Sequence, residues 1–204
     1  MAKIFVAIPT YDKKVDIEIM AMFARLPGEY PEHQFGLDYI ASSLITDARN
    51  YLTRRFLETD FDWLYFWDAD LAIRDVSFLG KMLETASSLK ADIVGGPYRF
   101  KNNEELYVAG NNHKGIIKNF SKKDLKEPMI VDCVGTGSML ISRKAIETIG
   151  DPWFSFIELK GKTIPEDFHF CKLARDKGLK VAIDPRFRTA HFGYAFWEHL
   201  PNNS

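Results

Sequence analysis

Cysteine is scarce: Cys133 and Cys171 are the only two among 204 residues. Two are too few for a disulfide framework, although a single bridge stays open, and the expectation is two reduced thiols in a cytoplasmic protein. An excess of one charge is also missing. Lys and Arg total 27 against 28 Asp and Glu, a formal net charge of −1. Without a basic surplus, the chain argues against a nucleic acid as its main partner, because phosphate binding by charge alone needs one. No stretch approaches ~18 uninterrupted apolar residues, so no membrane span is expected. The apolar segment from Ile4 to Ile8 is too short for a signal-peptide core. Repeats, low-complexity tracts and linkers are absent too, and one domain over residues 1–204 is expected. Hydrophobic residues (46%) and charged residues (27%) stand at globular proportions. Aromatics are dense at 14%; they can fill a core or, exposed, bind sugars and bases, and composition does not choose.

Periodicity predicts alternating strands and helices. Residues 4–8 read as a buried strand halted by Pro9. Val15, Ile19, Met22, Phe23 and Leu26 have helical spacing over 15–26, ending before Pro27-Gly28. Ile40, Leu44, Ala48, Tyr51, Leu52 and Phe56 mark one face of a long helix from 37 to about 59. Residues 61–67, Phe-Asp-Trp-Leu-Tyr-Phe-Trp, suit a central strand buried on both faces. A helix over 76–90, a strand over 92–94 and a hairpin over 105–120 follow. Residues 131–142 read as one strand interrupted by Gly135-Thr136-Gly137. A helix over 143–149 closes at Gly150, and another over 165–177 has Gly178 as a left-handed cap. Residues 181–183 form a last strand before an irregular aromatic tail. This order predicts an α/β/α sandwich around a mostly parallel mixed sheet, with a small inserted hairpin.

Four features carry chemistry. Asp68-Ala69-Asp70 leaves the carboxyl edge of the central strand, where ligands of open α/β sheets gather and where carboxylates can hold a hard divalent cation. The competing reading is a solvated turn with a capping Asp. Pro165-Glu166-Asp167 opens a helix. Thr163 and Glu166 there fit a capping box, which leaves Asp167 free to face a cleft, its ionisation favoured by the helix start. His191 is the third; a lone His is more often structural than a ligand, yet imidazole suits Mn and similar ions. In Gly135-Thr136-Gly137-Ser138, missing side chains allow a close backbone approach to a ligand, or simply a bulge.

In order, these pieces resemble a GT-A type nucleotide-sugar-dependent glycosyltransferase, in a short single-domain form similar to family 2. The matching segments are Ile8-Pro9-Thr10-Tyr11-Asp12, Ala48-Arg49-Asn50, Asp68-Ala69-Asp70, Gly135-Thr136-Gly137, Pro165-Glu166-Asp167 and His191, from about residue 3 to 193. The resemblance implies that Pro9, Thr10 and Tyr11 line a base and ribose pocket, with Asp12 and Arg49 nearby for polar contacts. It implies that Asp68 meets the ribose or a metal-bound water. Asp70 and His191 would ligate Mn²⁺ or Mg²⁺, with Ala69 between the carboxylates. Gly135 and Gly137 would border the donor sugar, and Asp167 would be the base. Trp153 would stack on an acceptor sugar or be buried.

The implied reaction moves a sugar from a UDP- or GDP-sugar to a hydroxyl of a glycan or other acceptor. The cation relieves negative charge on the departing diphosphate, and Asp167 takes the acceptor proton with inversion. The alternatives are a retaining transferase with the same metal site, a phosphatase resembling the haloacid dehalogenases, and a non-catalytic nucleotide-sugar-binding domain. The phosphatase is disfavoured because its Asp-x-Asp normally sits on the first strand and continues into Thr or Val.

Overall fold

The computed structural model describes residues 1–192 apart from Gly115, Lys160 and Arg188. The aromatic tail from Gly193 onward and Gly115 of the hairpin turn therefore lie outside the described residues. In chain order the elements are β1 (Lys3–Thr10), α1 (Ile17–Glu29), β2 (Gln34–Ala41), α2 (Ile45–Leu57), β3 (Trp63–Trp67), β4 (Leu71–Ile73) and α3 (Phe78–Leu89). Then come β5 (Ile93–Gly95), β6 (Arg99–Phe100), β7 (Asn103–His113), β8 (Ile116–Ser121), β9 (Met129–Ile130), β10 (Cys133–Val134) and β11 (Ser138–Ser142). The last are α4 (Arg143–Ile149), β12 (Ile157–Leu159), β13 (Lys162–Ile164), α5 (Glu166–Asp176), β14 (Val181–Ile183) and β15 (Thr189–His191).

A mixed sheet of seven strands, ordered β2-β1-β3-β11-β5-β14-β9, forms the centre. β1 runs parallel to both β2 and β3. β11 is antiparallel to β3 and to β5, so those two share a direction, and β14 is parallel to β5. The sheet is thus Rossmann-like, with β11 and β9 reversed. Its two faces carry separate apolar clusters. Phe66, Leu64, Phe154 and Phe170 pack on one side, and Tyr65, Trp67, Phe78 and Ile8 on the other. Each such side chain withdrawn from water contributes roughly 1.5–3 kcal/mol. Burial on both faces explains why β3 is an unbroken apolar run. No helix among the described residues is long and apolar enough to cross a membrane. Both cysteines are free and buried.

Several expectations need correction. β1 continues through Pro9 to Thr10, because its pairing with β3 stops at Ala7 and a missing donor beyond that point removes no bond there. α1 includes Pro27 in its last turn, closed by Tyr30 N–H donating to the Leu26 carbonyl at 2.9 Å. The long helix from 37 does not exist as such: residues up to Ala41 form edge strand β2, and α2 begins at Ile45. Pairing satisfies the backbone groups of β1, and that outweighs a chance helical spacing of Ile40 and Leu44. Ser42 Oγ then accepts from Leu44 N–H at 3.1 Å and turns the chain into α2. Residues 131–142 are two strands in different sheets, since β10 pairs with β7 and β11 with β3. Residues 181–183 are not the last strand; β15 follows and pairs with β4.

Candidate functional site

β1 and β3 lie side by side and end together, so the segments after them face one another. A cavity of about 350 Å³ opens there. Pro9, Thr10, Tyr11 and Asp12 line one side, and Asp68, Ala69 and Asp70 the other. Thr10 Oγ1 accepts from Lys13 N–H at 3.1 Å, holding the loop after β1 in a turn where Lys13 has a φ of 64°. Tyr11 is 79% exposed, so its ring stands free at the cavity mouth. Asp12 is ion-paired with Lys14 at 2.9 Å. Ser42, Ser43 and Ile45 complete the lining with Lys14. Sequence reasoning missed the first three because it placed them inside a helix; the Ser-Ser pair was the turn signal.

Asp70 and His191 are brought together by a short ladder. β4 and β15 pair antiparallel with His191 opposite Leu71, and Phe192 N–H donates to the Asp70 carbonyl at 2.8 Å. His191 Nε2 lies 3.5 Å from Asp70 Oδ1, and Nδ1 lies 2.8 Å from the Arg99 carbonyl oxygen. A carbonyl can only accept, so Nδ1 carries a hydrogen, and Nε2 is the ring nitrogen turned toward the carboxylate. The other Asp70 oxygen is ion-paired with Lys101. Burial alone would raise the Asp70 pKa, but hydrogen bonds and charge from His191 and Lys101 outweigh it and hold the group at about 2.

Asp68 looks inward. Both its oxygens lie 3.2 Å from Arg49 Nη2, and Arg49 Nη1 is paired with Glu166. Arg49 is only 4% exposed, so the guanidinium binds these two acids together in the interior. The capping-box expectation therefore fails. Thr163 lies in β13 and its hydroxyl donates to Glu158 at 2.6 Å, while Pro165 occupies the cap position without a side-chain bond. A charged pair in the interior outweighs a cap of roughly 1 kcal/mol. Asp167 is buried, and Oδ1 accepts from Phe168 N–H at 2.7 Å. Burial first, then repulsion from Glu166, pushes its carboxyl up to about 7. This reverses the expectation of easy ionisation at a helix start, and Asp167 is not among the residues that line the cavity, contrary to the expectation that it faces a cleft.

Tyr98, which sequence reasoning did not single out, closes the glycine loop. Its hydroxyl accepts from Gly137 N–H at 2.9 Å, and its ring meets the His191 ring edge-on at 5.3 Å. A Cβ on Gly135 would lie 2.0 Å from the Tyr98 hydroxyl oxygen. On Gly137 it would lie 2.9 Å from Tyr98 Cζ and 3.1 Å from Asp68 Oδ2. The glycines thus admit Tyr98 next to Asp68. Trp153 is core: it is 3% exposed and Nε1 donates to the Ile146 carbonyl at 2.8 Å.

No protein-family model and no curated protein matches this sequence. Solved structures do match it. The crystal structure of A197 from STIV superposes with a TM-score of 0.67 at 21% identity, over 94% of this chain and 86% of that one. S. aureus TarS 1–349, a glycosyltransferase, superposes at 0.54 with 14% identity, over 90% of this chain and 58% of that one. The fold is shared with a glycosyltransferase. At these identities the likeness concerns the fold alone, and this chain spans little more than half of TarS 1–349.

The resemblance implies a divalent cation, and Asp70 and His191 are the two side chains of suitable type that the structure brings together. Adjacent ligands each about 2.0–2.2 Å from an octahedral cation stand about 2.8–3.1 Å apart. The separation of Asp70 Oδ1 and His191 Nε2 is 3.5 Å, a few tenths of an ångström wider. The Arg99 carbonyl engages Nδ1 and orients the ring with Nε2 toward Asp70, as partners of metal-binding histidines commonly do. No cluster of three or more acidic, His or Cys side chains suited to a metal occurs among the described residues. The remaining coordination positions would therefore fall to oxygens of a bound ligand or water.

Proposed function

We propose that this chain is a glycosyltransferase that moves a sugar from a nucleoside diphosphate sugar to an acceptor hydroxyl. One observation carries the reading: the cavity at the ends of β1 and β3 has Asp70 in its wall, 3.5 Å from His191. The fold shared with TarS supports it. The nucleoside would enter between the loop after β1 and the β2–α2 turn, where Tyr11 offers a ring face and Ser42 and Ser43 polar edges. Asp70 and His191 would hold Mn²⁺ or Mg²⁺, which supplies positive charge where a diphosphate leaves.

Arg49 keeps Asp68 in place beside that wall. Tyr98 and the two glycines hold the backbone of residues 135–137 close to it. Asp167, with a pKa of about 7, is poised near neutrality to take the acceptor proton, which corresponds to an inverting reaction.

The test is thermal stability across nucleoside diphosphates and their sugars, with and without Mn²⁺. A ligand present at 100 times its dissociation constant adds about 2.7 kcal/mol. For a chain of this size that is a rise of roughly 5–11 °C. Stabilisation by one base series, larger with Mn²⁺, is the expected result. Flat melting curves across all of them would remove the donor from the proposal.

A further inference from the structure

Lys101 belongs to none of the motifs above, yet its ammonium is paired with the Asp70 carboxylate. The tight turn between β6 and β7 places it there. The same segment supplies the Arg99 carbonyl that orients His191, so three neighbouring residues reach both proposed metal ligands. The Lys101 side chain is half exposed, and its long stem can swing without unpacking the core. Asp70 thus has the His191 ring nitrogen Nε2 near one oxygen and a resident cation at the other.

We propose that Lys101 exchanges partners during donor binding. It neutralises Asp70 while the site is empty, yields the carboxylate to the divalent cation, and then pairs with the diphosphate. This rests on the nucleotide-sugar reading above. Charge balance supports the exchange. A carboxylate and a diphosphate diester together carry about three negative charges, which one divalent cation and one lysine match. A divalent cation arriving without a diphosphate would instead have to displace a positive side chain and leave it unpaired. The cation and the nucleoside diphosphate should therefore bind cooperatively, each weakly alone, and Lys101 is the source of much of that coupling.

The test is Mn²⁺ binding by electron paramagnetic resonance of the free ion, with no nucleotide present, followed by titration of UDP and GDP at saturating Mn²⁺. Lys101→Met should bind Mn²⁺ alone about five- to tenfold more tightly than wild type, because a competing charge is gone. The same variant should bind the preferred nucleoside diphosphate about tenfold more weakly. Lys101→Arg keeps the charge and should restore both values toward wild type, which separates charge from any change in the turn. Wild-type Mn²⁺ affinity or undiminished nucleoside diphosphate affinity in Lys101→Met would overturn the exchange. Asp70→Asn tells the two failures apart. If it abolishes Mn²⁺ binding while Lys101→Met changes nothing, the metal site stands and the exchange falls. If it binds Mn²⁺ like the wild type, the metal site falls and takes the exchange with it.

Discussion

Asp167→Asn is expected to lower the rate of sugar transfer by about 10²–10⁴-fold, the usual contribution of a single general base, while donor affinity stays unchanged. In the wild type, transfer should rise with pH through about 7, the value to which burial and Glu166 push this carboxyl. In the variant that limb should vanish. Stability should move the opposite way. The folded pKa of Asp167 lies above its unfolded value, so its favourable contribution is complete below the unfolded value and is lost as pH rises through about 7. Above pH 7 the folded wild type carries a buried charge that Asn lacks. Asp167→Asn should therefore melt no lower than the wild type at pH 8 while being inactive, a combination that a purely structural residue would not give. Rate assays and melting curves from pH 5 to 9 measure both. Wild-type turnover in the variant would exclude Asp167 as the base.

The second large effect is on stability. Arg49→Met removes the guanidinium that joins Asp68 to Glu166 inside the fold. The Glu166 side chain is only 10% exposed, so its charge would be left nearly dry. Breaking a buried pair from one side costs about 3–5 kcal/mol, because an uncompensated charge remains. In a protein of this length that corresponds to a fall in Tm of roughly 6–20 °C. Adding Glu166→Gln removes the stranded charge and should recover part of the loss. Calorimetry of the wild type, Arg49→Met and the double variant at pH 7 decides. A single-variant cost below about 1 kcal/mol would mean that Arg49 does not hold the two acids together.

The parts of the fold legible in the sequence are those where burial and local pattern agree. β3 is buried on both faces and reads as one apolar run, so the position of Asp68 and Asp70 at its end follows directly. The hairpin of β7 and β8, α4 with Gly150 behind it, and α5 with Gly178 behind it were visible for similar local reasons. β2 was not, because an edge strand is only half buried and its Ile40 fell in step with the helical spacing of α2. β4 and β15 are three residues each, too short to leave a pattern, yet they bring His191 to Asp70.

The site shows the same division. Asp70 and His191 were identifiable by residue type and order. Tyr98 and Lys101 were not, since both are placed by the chain around β6 and no local signal marks them. Asp167 was legible as a site residue but not in its charge. A helix start favours a carboxylate by roughly 0.3–1 kcal/mol at an exposed position, and burial can oppose it by several pKa units. Glu166 was misread because a capping box is a local rule, whereas its partner Arg49 comes from a distant helix.

Crystals grown with Mn²⁺ and the nucleoside diphosphate that stabilises the protein most would give the most direct view, through the anomalous signal of manganese. The expected map has one strong peak touching Asp70 Oδ1 and His191 Nε2, with diphosphate oxygens on its open side and Lys101 turned away from Asp70. A nucleotide in the cavity with no peak between those two side chains, or a peak bound elsewhere, would contradict the proposed role of the Asp70–His191 pair.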